Sequence, residues 1–223
     1  MIRKILRYFK NRPDKSTQYE ANILKGLVHR SHYAYCCYNA AKLASKLNHK
    51  KISVIEFGCA GGGGLLDLER ICSEISLLTN ISFEIYGFDS GEGLPKPEGY
   101  RDLPYQWRQG FFKMNQKILE SKITQAKIIY GDVKHTVKKF FEQYNPAVIG
   151  CVFHDLDYYS STKSSLELFN ENEKYFLPRS FHYFDDIIGN DVVLYSEWTG
   201  ERLDINEFNK SSDTKKFDNC YHL

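Results

Sequence analysis

The chain has 223 residues, of which 42% are hydrophobic and 26% are charged, and its 30 basic and 28 acidic residues leave a formal net charge of +2. This composition is typical of one globular domain with a substantial core, and it excludes a disordered chain. A nearly neutral balance without a clustered excess of Lys and Arg gives no reason to expect a nucleic-acid partner.

Cysteine usage and the lack of an export signal predict a cytoplasmic protein. The six cysteines show no CxxC spacing, as expected for reduced core residues. The opening sequence MIRKILRYFKNR is basic but lacks the apolar h-region of a secretory signal. No later stretch has the roughly 18 apolar residues of a membrane span, so we predict none. The basic start could form an amphipathic helix on a membrane surface, but a solvated first helix is favoured.

Two helices are predicted at the start of the chain. Thr17 and Glu20 form a capping-box pattern ahead of one apolar helical stripe, and Ser31 precedes a second stripe. We assign residues 1–50 to N-terminal helices that serve as a lid or an oligomer contact, and residues 51–223 to the main domain.

From Ile52 onward, short apolar runs alternate with helical stripes. The runs are, in order, ISVIEF, FEIYGF, AKIIY, AVIGCVF and FHYFDDI. Strands that are apolar on both faces and alternate with helices predict an α/β fold. It is a doubly wound, Rossmann-like domain in which a mostly parallel sheet carries helices on both faces.

Ligands of such sheets bind at the carboxyl ends of the strands, so the candidate site begins where the first strand ends. There the chain reads EFGCAGGGG and turns into a helix. Glycines allow positive φ and close approach of a ligand to the backbone, and the helix start presents unpaired N–H groups. We therefore predict that Glu56, Gly58 and Gly62 contact a cofactor.

The next two strand ends indicate an adenosine-bearing cofactor. Asp89, followed by Ser90, ends the second strand, where a carboxylate can accept hydrogen bonds from both hydroxyls of a ribose. Asp132 and Val133 follow the third strand, where the carboxylate could accept from an adenine amino group and the backbone N–H could donate to the ring. Taken alone, Asp132 is better explained as a turn-capping residue.

The glycine spacing and Glu56 decide between two cofactors. An NAD enzyme needs G-x-G-x-x-G, and the registers available here lack the third glycine. A carboxylate directly before the loop would repel a pyrophosphate, but it suits the sulfonium and ammonium groups of S-adenosylmethionine. We therefore favour the methyl donor over a dinucleotide.

Paired aspartates end the fourth and fifth strands, in VFHDLDYYSST and FHYFDDI. Asp155, Asp185 and Asp186 would converge into an oxygen-only site for Mg²⁺ or another hard divalent cation, which would neutralise their repulsion. Asp157 is placed to act as general base on a substrate hydroxyl that the ion orients and acidifies. Either pair alone is more often ordinary capping or turn chemistry, but their occurrence together beside a glycine loop favours function.

Four motifs occur in an order and spacing typical of one enzyme family. They are EFGCAGGGG, FDSGEGLP, HDLDYYSST and YFDDI. Together they resemble the macrocin and mycinamicin type of class I S-adenosylmethionine-dependent O-methyltransferases, which act on sugar hydroxyls in antibiotic biosynthesis, over roughly residues 50 to 190.

The resemblance implies the same roles as the residue chemistry. It implies that Asp155, Asp185 and Asp186 hold a Mg²⁺, that Asp157 is the general base, and that Asp89 binds the ribose of the methyl donor. It also implies a homo-oligomer. Such folds usually close with an antiparallel strand pair, for which little sequence remains after EWTGERLDINEFNK.

These observations predict a cytoplasmic, Mg²⁺-assisted O-methyltransferase, with residues 51–223 as its S-adenosylmethionine-binding domain. The acceptor is expected to be a sugar or a sugar-containing natural product or polysaccharide precursor. The aromatic-rich loop from Ser90 to Gly110 is expected to form a lid and acceptor pocket. An NAD(P)-dependent oxidoreductase and a non-catalytic adenosine-binding module remain the alternatives, although an oxidoreductase has no use for four aspartates opposite the cofactor.

Overall fold

The central feature of the computed structural model, which describes residues 14–190, 192–193 and 195–220, is a five-stranded sheet. Its strands are β1 (Lys51–Phe57), β2 (Ser82–Asp89), β3 (Lys127–Tyr130), β4 (Ile149–His154) and β5 (Phe176–Phe184). The order across the sheet is β3-β2-β1-β4-β5, and every neighbouring pair is parallel. The predicted doubly wound, Rossmann-like α/β fold is therefore confirmed.

Helices surround this sheet. They are α1 (Lys15–Leu24), α2 (Ser31–Lys46), α3 (Gly63–Thr79), α4 (Gln116–Glu120), α5 (Val133–Thr136), α6 (Phe140–Tyr144), α7 (Tyr159–Leu166) and α8 (Gly200–Ser211). Within the described ranges, no helix is both long enough and apolar enough to cross a membrane. The basic opening segment MIRKILRYFKNR lies outside the described residues.

Side chains of the strands enter two hydrophobic clusters, one on each face of the sheet. Ile52 and Val54 of β1 pack in a cluster with α2 and α3, whereas Ile55 and Phe57 pack in a cluster with α6 and α7. Side chains alternate between faces along a strand, so a strand that is apolar at every position needs helices on both sides. This alternation explains the three-layer arrangement.

The two leading helices are present, but the first begins earlier than its capping pattern predicts. α1 begins at Lys15, so Thr17 lies inside the helix, and Glu20 accepts a hydrogen bond from Lys42 Nζ of α2 at 2.7 Å instead of capping. α2 packs against β4 and β5, and its buried residues belong to the sheet's core. The division at residue 50 and the lid role stay predictions.

The far edge of the sheet is covered by side chains from the segment after α8. Within the described residues the sheet ends at β5, and the expected closing antiparallel pair is absent from them. The ring of Phe217 packs on His182 and Phe184 of β5, at centroid distances of 4.9 and 5.4 Å. The tail thus contacts side chains of β5 without extending the ladder.

Candidate active site

The loop between β1 and α3 runs directly against the end of β4. Gly58 has φ of +81°, and a Cβ on it would lie 1.7 Å from the carbonyl oxygen of Asp155. Only glycine fits a position with both a left-handed backbone and so close a neighbour. Gly62 caps the start of α3, also in the left-handed region. The loop predicted to hold the cofactor therefore adjoins the residues predicted to hold the metal.

Glu56 lies buried under this loop with one oxygen unused. Its Oε1 accepts a hydrogen bond from the Tyr33 hydroxyl at 2.9 Å, whereas Oε2 is buried and has no partner among the described residues. Burial raises the pKa of Glu56 to about 8, a rise that the Tyr33 hydrogen bond opposes and the Asp155 charge increases. A Cβ on Gly64 would lie 1.8 Å from Oε1, so glycine makes room for the carboxylate. An unpartnered buried carboxylate oxygen fits a cationic ligand group.

Arg30 is a cationic residue beside this loop that the sequence did not indicate. The Nε of Arg30 donates to Asp67 at 2.9 Å, and the guanidinium lies 5.1 Å from the ring centroid of Tyr33. Burial raises the pKa of both Glu56 and Asp155, and the charge of Arg30 partly offsets each rise. Arg30 stands between α1 and α2 outside any recognisable motif, so no sequence signal marked it.

Asp89 ties the ends of the first two strands together. Its Oδ2 accepts the backbone N–H groups of Cys59 and Ala60, both at 2.8 Å, and its Oδ1 accepts that of Gly91 at 2.6 Å. Three backbone donors fix the carboxylate, and Oδ1 keeps acceptor capacity for a ligand hydroxyl. Ser90 is exposed, and its hydroxyl bonds within the turn that follows.

At the third strand end, Asp132 caps a helix. Its Oδ1 accepts the backbone N–H of Lys134 at 2.9 Å at the start of α5, and the side chain is exposed. Val133 is the first residue of that helix and packs partly buried against the cluster that contains Phe140. The capping role that the sequence offered as an alternative is therefore present, and the adenine contact stays a prediction.

Three aspartates meet beyond the ends of β4 and β5. Asp155, Asp157 and Asp186, here called the aspartate cluster, each offer a carboxylate oxygen, and these oxygens lie within 4.8 Å of one another. Asp185 lies outside this set; it is exposed, and its Oδ1 accepts the Tyr183 hydroxyl at 2.9 Å. Because β4 and β5 are parallel neighbours, the DLD segment after β4 and the DD segment after β5 lie at the same end of the sheet. The assignment of individual roles among the four aspartates stays a prediction.

Burial and mutual repulsion together raise the pKa values of two carboxyl groups in the aspartate cluster. Burial, followed by the charges of Asp185 and Asp186, raises the pKa of Asp155 to about 7. Burial, followed by the charges of Asp186 and Asp155, raises the pKa of Asp157 to about 8. A cation would relieve this repulsion, and a donor set made only of carboxylate oxygens suits Mg²⁺. The residues therefore fit a hard divalent cation.

Two further residues outside the four motifs bond to Asp186, Tyr195 to its carboxylate and Glu201 to its backbone. The Tyr195 hydroxyl donates to Asp186 Oδ1 at 2.5 Å, and the backbone N–H of Asp186 donates to Glu201 Oε2 at 3.0 Å. The backbone N–H of Asp157, which has φ of 57°, donates to Asp186 Oδ2 at 2.9 Å. Tyr195 precedes α8 and Glu201 lies in its first turn, both outside the four motifs, so sequence reasoning missed them.

The long loop after β2 is anchored onto this edge by Asp102. The carboxylate is buried; Oδ1 accepts the backbone N–H of Ser160 at 2.9 Å, and Oδ2 accepts the Ser160 hydroxyl at 2.9 Å and the Glu98 N–H at 2.7 Å. The Tyr105 hydroxyl donates to the carbonyl of Val193 at 2.6 Å. The loop predicted as lid and acceptor pocket therefore contacts the segments that follow β4 and β5.

Comparison with known proteins identifies the fold. No family model and no curated protein matches the chain. The calicheamicin methyltransferase CalS11 has a TM-score of 0.59 at 20% identity, covering 93% of this chain and 82% of that chain. Its apo form, described as TDP-rhamnose 3'-O-methyltransferase, gives 0.53 at 19% identity, with coverage of 98% and 87%. The O-methyltransferase NovP gives 0.57 at 14% identity, with coverage of 79% and 70%. The chain therefore has the Rossmann-like fold of these O-methyltransferases.

Proposed function

We propose that this chain is an S-adenosylmethionine-dependent, Mg²⁺-assisted O-methyltransferase that acts on a hydroxyl of a sugar or of a sugar-containing natural product or polysaccharide precursor. The observation that carries the proposal is the aspartate cluster, whose oxygens lie within 4.8 Å of one another next to a cofactor-type glycine loop. Hydride transfer by an NAD(P)-dependent oxidoreductase does not require such a group of carboxylates.

The residues at the first three strand ends fit the methyl donor. The unpartnered Oε2 of Glu56 suits the ammonium group, and the backbone-held carboxylate of Asp89 suits the ribose hydroxyls. Asp132 and the N–H of Val133 would contact the adenine. Burial of Glu56 strengthens its attraction for a cation because little water screens the charge.

The residues at the last two strand ends fit the acceptor side of the reaction. Asp155, Asp185 and Asp186 would hold the ion, which when bound orients the acceptor hydroxyl and lowers its pKa. Asp157 would take the hydroxyl proton, because its carboxylate oxygen lies within 4.8 Å of those of Asp155 and Asp186. As the O–C bond forms, the C–S bond breaks with its electrons passing to sulfur, which yields the methyl ether and S-adenosylhomocysteine.

The acceptor class is proposed from the aromatic side chains of the loop after β2 and from the structural neighbours together. Four aromatic side chains in or beside the loop after β2 are exposed and suit the apolar face of a sugar ring; they are Tyr100, Tyr105, Phe111 and Phe112. CalS11 is described as acting on TDP-rhamnose, so a nucleotide-linked deoxysugar is the first acceptor to test. The proposal includes a cytoplasmic location and a homo-oligomer. Light scattering of the purified protein tests the oligomeric state.

Calorimetric titration with S-adenosylmethionine, with and without Mg²⁺, is the decisive experiment. We expect donor binding in both conditions, and methyl transfer to a nucleotide sugar that requires the ion and is lost in Asp157→Asn. Absence of donor binding would refute the proposal, whereas turnover without metal would remove only the metal. Mass spectrometry of co-purified ligand separates the alternatives, because an oxidoreductase would carry NAD(P).

A further inference from the structure

Asp186 is the most constrained carboxylate of the aspartate cluster. Its Oδ1 accepts the Tyr195 hydroxyl at 2.5 Å and its Oδ2 accepts the Asp157 N–H at 2.9 Å, while within the described residues no hydrogen bond to the carboxylate of Asp155 or Asp157 is present. Asp186 is 6% exposed. Its carboxylate plane is therefore set by protein donors on both oxygens, and Tyr195 supplies the only side-chain donor among the described residues.

The ring of Tyr195 is itself held by close packing. A Cβ on Gly189 would lie 2.9 Å from Cδ2 of the ring, and one on Gly200 would lie 3.6 Å from Cδ1. Gly189 is not in the left-handed region, and its added Cβ would also lie 3.2 Å from Cβ of Val193 and 3.3 Å from the backbone N of Tyr195. Gly189 thus leaves space that the ring of Tyr195 occupies, whereas Gly200, with φ of +58°, is only in ordinary contact distance of the ring.

The same segment contacts the loop that follows β2. Two residues before Tyr195, the carbonyl of Val193 accepts the Tyr105 hydroxyl at 2.6 Å. Trp107 of the same loop has a buried indole N–H without a hydrogen-bond partner among the described residues. The Tyr195 hydroxyl, which donates to Asp186, therefore lies two residues along the chain from a direct contact between this segment and the loop.

We propose that Tyr195 is a positioning residue that orients the Asp186 carboxylate for divalent-cation binding and ties that orientation to the docking of the loop that follows β2. The inference rests on the proposed function, because it takes Asp186 as one of the three proposed ligands of the ion. Hydrogen bonds behind a metal-binding carboxylate typically change metal affinity about 10- to 100-fold.

The test measures ion binding without substrate or turnover. Mn²⁺ affinity is determined by electron paramagnetic resonance of the free ion in wild type, Tyr195→Phe, Gly189→Ala and Tyr19→Phe. Tyr195→Phe removes the hydroxyl and keeps the ring, whereas Gly189→Ala keeps the hydroxyl and displaces the ring. Tyr19→Phe removes a phenol–carboxylate contact, to Glu74 at 3.4 Å between α1 and α3, and serves as the matched control.

We expect Mn²⁺ affinity to fall at least about tenfold in Tyr195→Phe and in Gly189→Ala and to stay unchanged in Tyr19→Phe. Donor affinity, measured by calorimetry, should change less than about twofold in all three, with folding checked by circular dichroism. The chain holds two tryptophans. In a Trp198→Phe background, Mg²⁺ should therefore alter the fluorescence of Trp107, and Tyr195→Phe should abolish that response.

The outcomes separate this inference from the proposed function. Wild-type Mn²⁺ affinity in both Tyr195→Phe and Gly189→Ala would overturn the positioning role and leave the methyltransferase proposal intact. If wild type binds the donor but no Mn²⁺, both the proposed metal site and the positioning role of Tyr195 are refuted. If wild type binds neither, the proposed function itself is refuted.

Discussion

Individual carboxyl groups around the candidate site differ in how the protein treats them. Asp89 and Asp186 are held by several donors, whereas Glu56 has one buried oxygen without a partner. A held carboxylate is oriented before a ligand arrives, and an orphaned one gains a partner from the ligand. Asp89 and Asp186 are therefore suited to orienting a ligand, and Glu56 is suited to recognising a positive charge.

Glu56→Gln tests that distinction. The amide keeps the size of the side chain and can still accept the Tyr33 hydroxyl, but it removes the charge that would face the donor's ammonium group. We expect affinity for S-adenosylmethionine to fall about tenfold or more in calorimetry, as for the loss of a charge-assisted hydrogen bond. Tyr33→Phe, which leaves the charge, should change affinity less than about threefold. Unchanged binding in Glu56→Gln would contradict the assignment.

Asp204 on α8 provides a prediction independent of ligands. It is buried, its Oδ2 lacks a partner among the described residues, and burial raises its pKa from 3.8 to about 7, with the Lys163 charge partly offsetting the rise. The folded state binds this proton more tightly than the unfolded chain. Its contribution to stability is therefore complete below pH 3.8 and is lost as pH rises through about 7.

Asp204→Asn should consequently be more stable than wild type at alkaline pH. Because a shift of one pKa unit corresponds to about 1.4 kcal/mol, we expect a gain of about 1 to 4 kcal/mol at a pH near 8.5 and a much smaller difference near pH 5. Urea unfolding at both pH values measures it. Asp213→Asn, at an exposed position after α8, should show no such pH dependence. A variant less stable than wild type at alkaline pH would contradict this account.

At the scale of elements, the glycine loop and the end of β4 form one unit. The backbone N–H of Asp155 donates to the Phe57 carbonyl at 3.0 Å, and Gly58 follows with no room for a side chain. Strand pairing therefore continues one residue past β4 and delivers Asp155 to the loop. The glycine loop and the aspartate cluster are thereby held in a fixed relation, as the proposed methyl transfer would require.

Gly58→Ala should break this relation. Its Cβ would meet the Asp155 carbonyl oxygen at 1.7 Å and would sit on a left-handed backbone, so strand and loop must separate. We expect a loss of about 2 kcal/mol or more in unfolding free energy, together with loss of donor binding. Gly61→Ala is the matched control because nothing lies within 4 Å of its added Cβ. Equal stability of the two variants in chemical denaturation would argue against this packing.

The elements were predictable to different degrees, for physical reasons. β1 and β4 are buried on both faces, so their apolar, β-branched runs predicted them correctly. The start of α1 was predicted wrongly, because packing of α1 against its neighbours overrides a local capping pattern. Arg30, Tyr195 and Glu201 were missed, because tertiary structure alone brings them to the site. The rule that ligands bind at the carboxyl ends of parallel strands nevertheless located the side of the sheet on which they meet.

At the scale of the whole molecule, several buried carboxyl groups lie together at the carboxyl ends of the strands. Burial is the largest cause that raises the pKa of Glu56 to about 8, of Asp155 to about 7 and of Asp157 to about 8. These carboxyls bind protons more tightly in the folded state. Without a cation, the stability that they contribute is complete below their ordinary values near 4 and is lost as pH rises through about 7 to 8.

A divalent cation should reverse this loss, because it binds the ionised cluster of the folded chain and not the unfolded chain. At ten times its dissociation constant an ion adds about 1.4 kcal/mol, which corresponds to about 4 °C in Tm for a domain of this size. We expect Mg²⁺ to raise Tm by about that amount near pH 8 and much less near pH 5.5, where protons occupy the cluster. Scanning calorimetry with KCl at matched ionic strength as the control measures the effect, and Asp186→Asn should abolish it. A Mg²⁺ response that persists in Asp186→Asn, or that is as large at the lower pH, would show that the ion acts elsewhere on the protein.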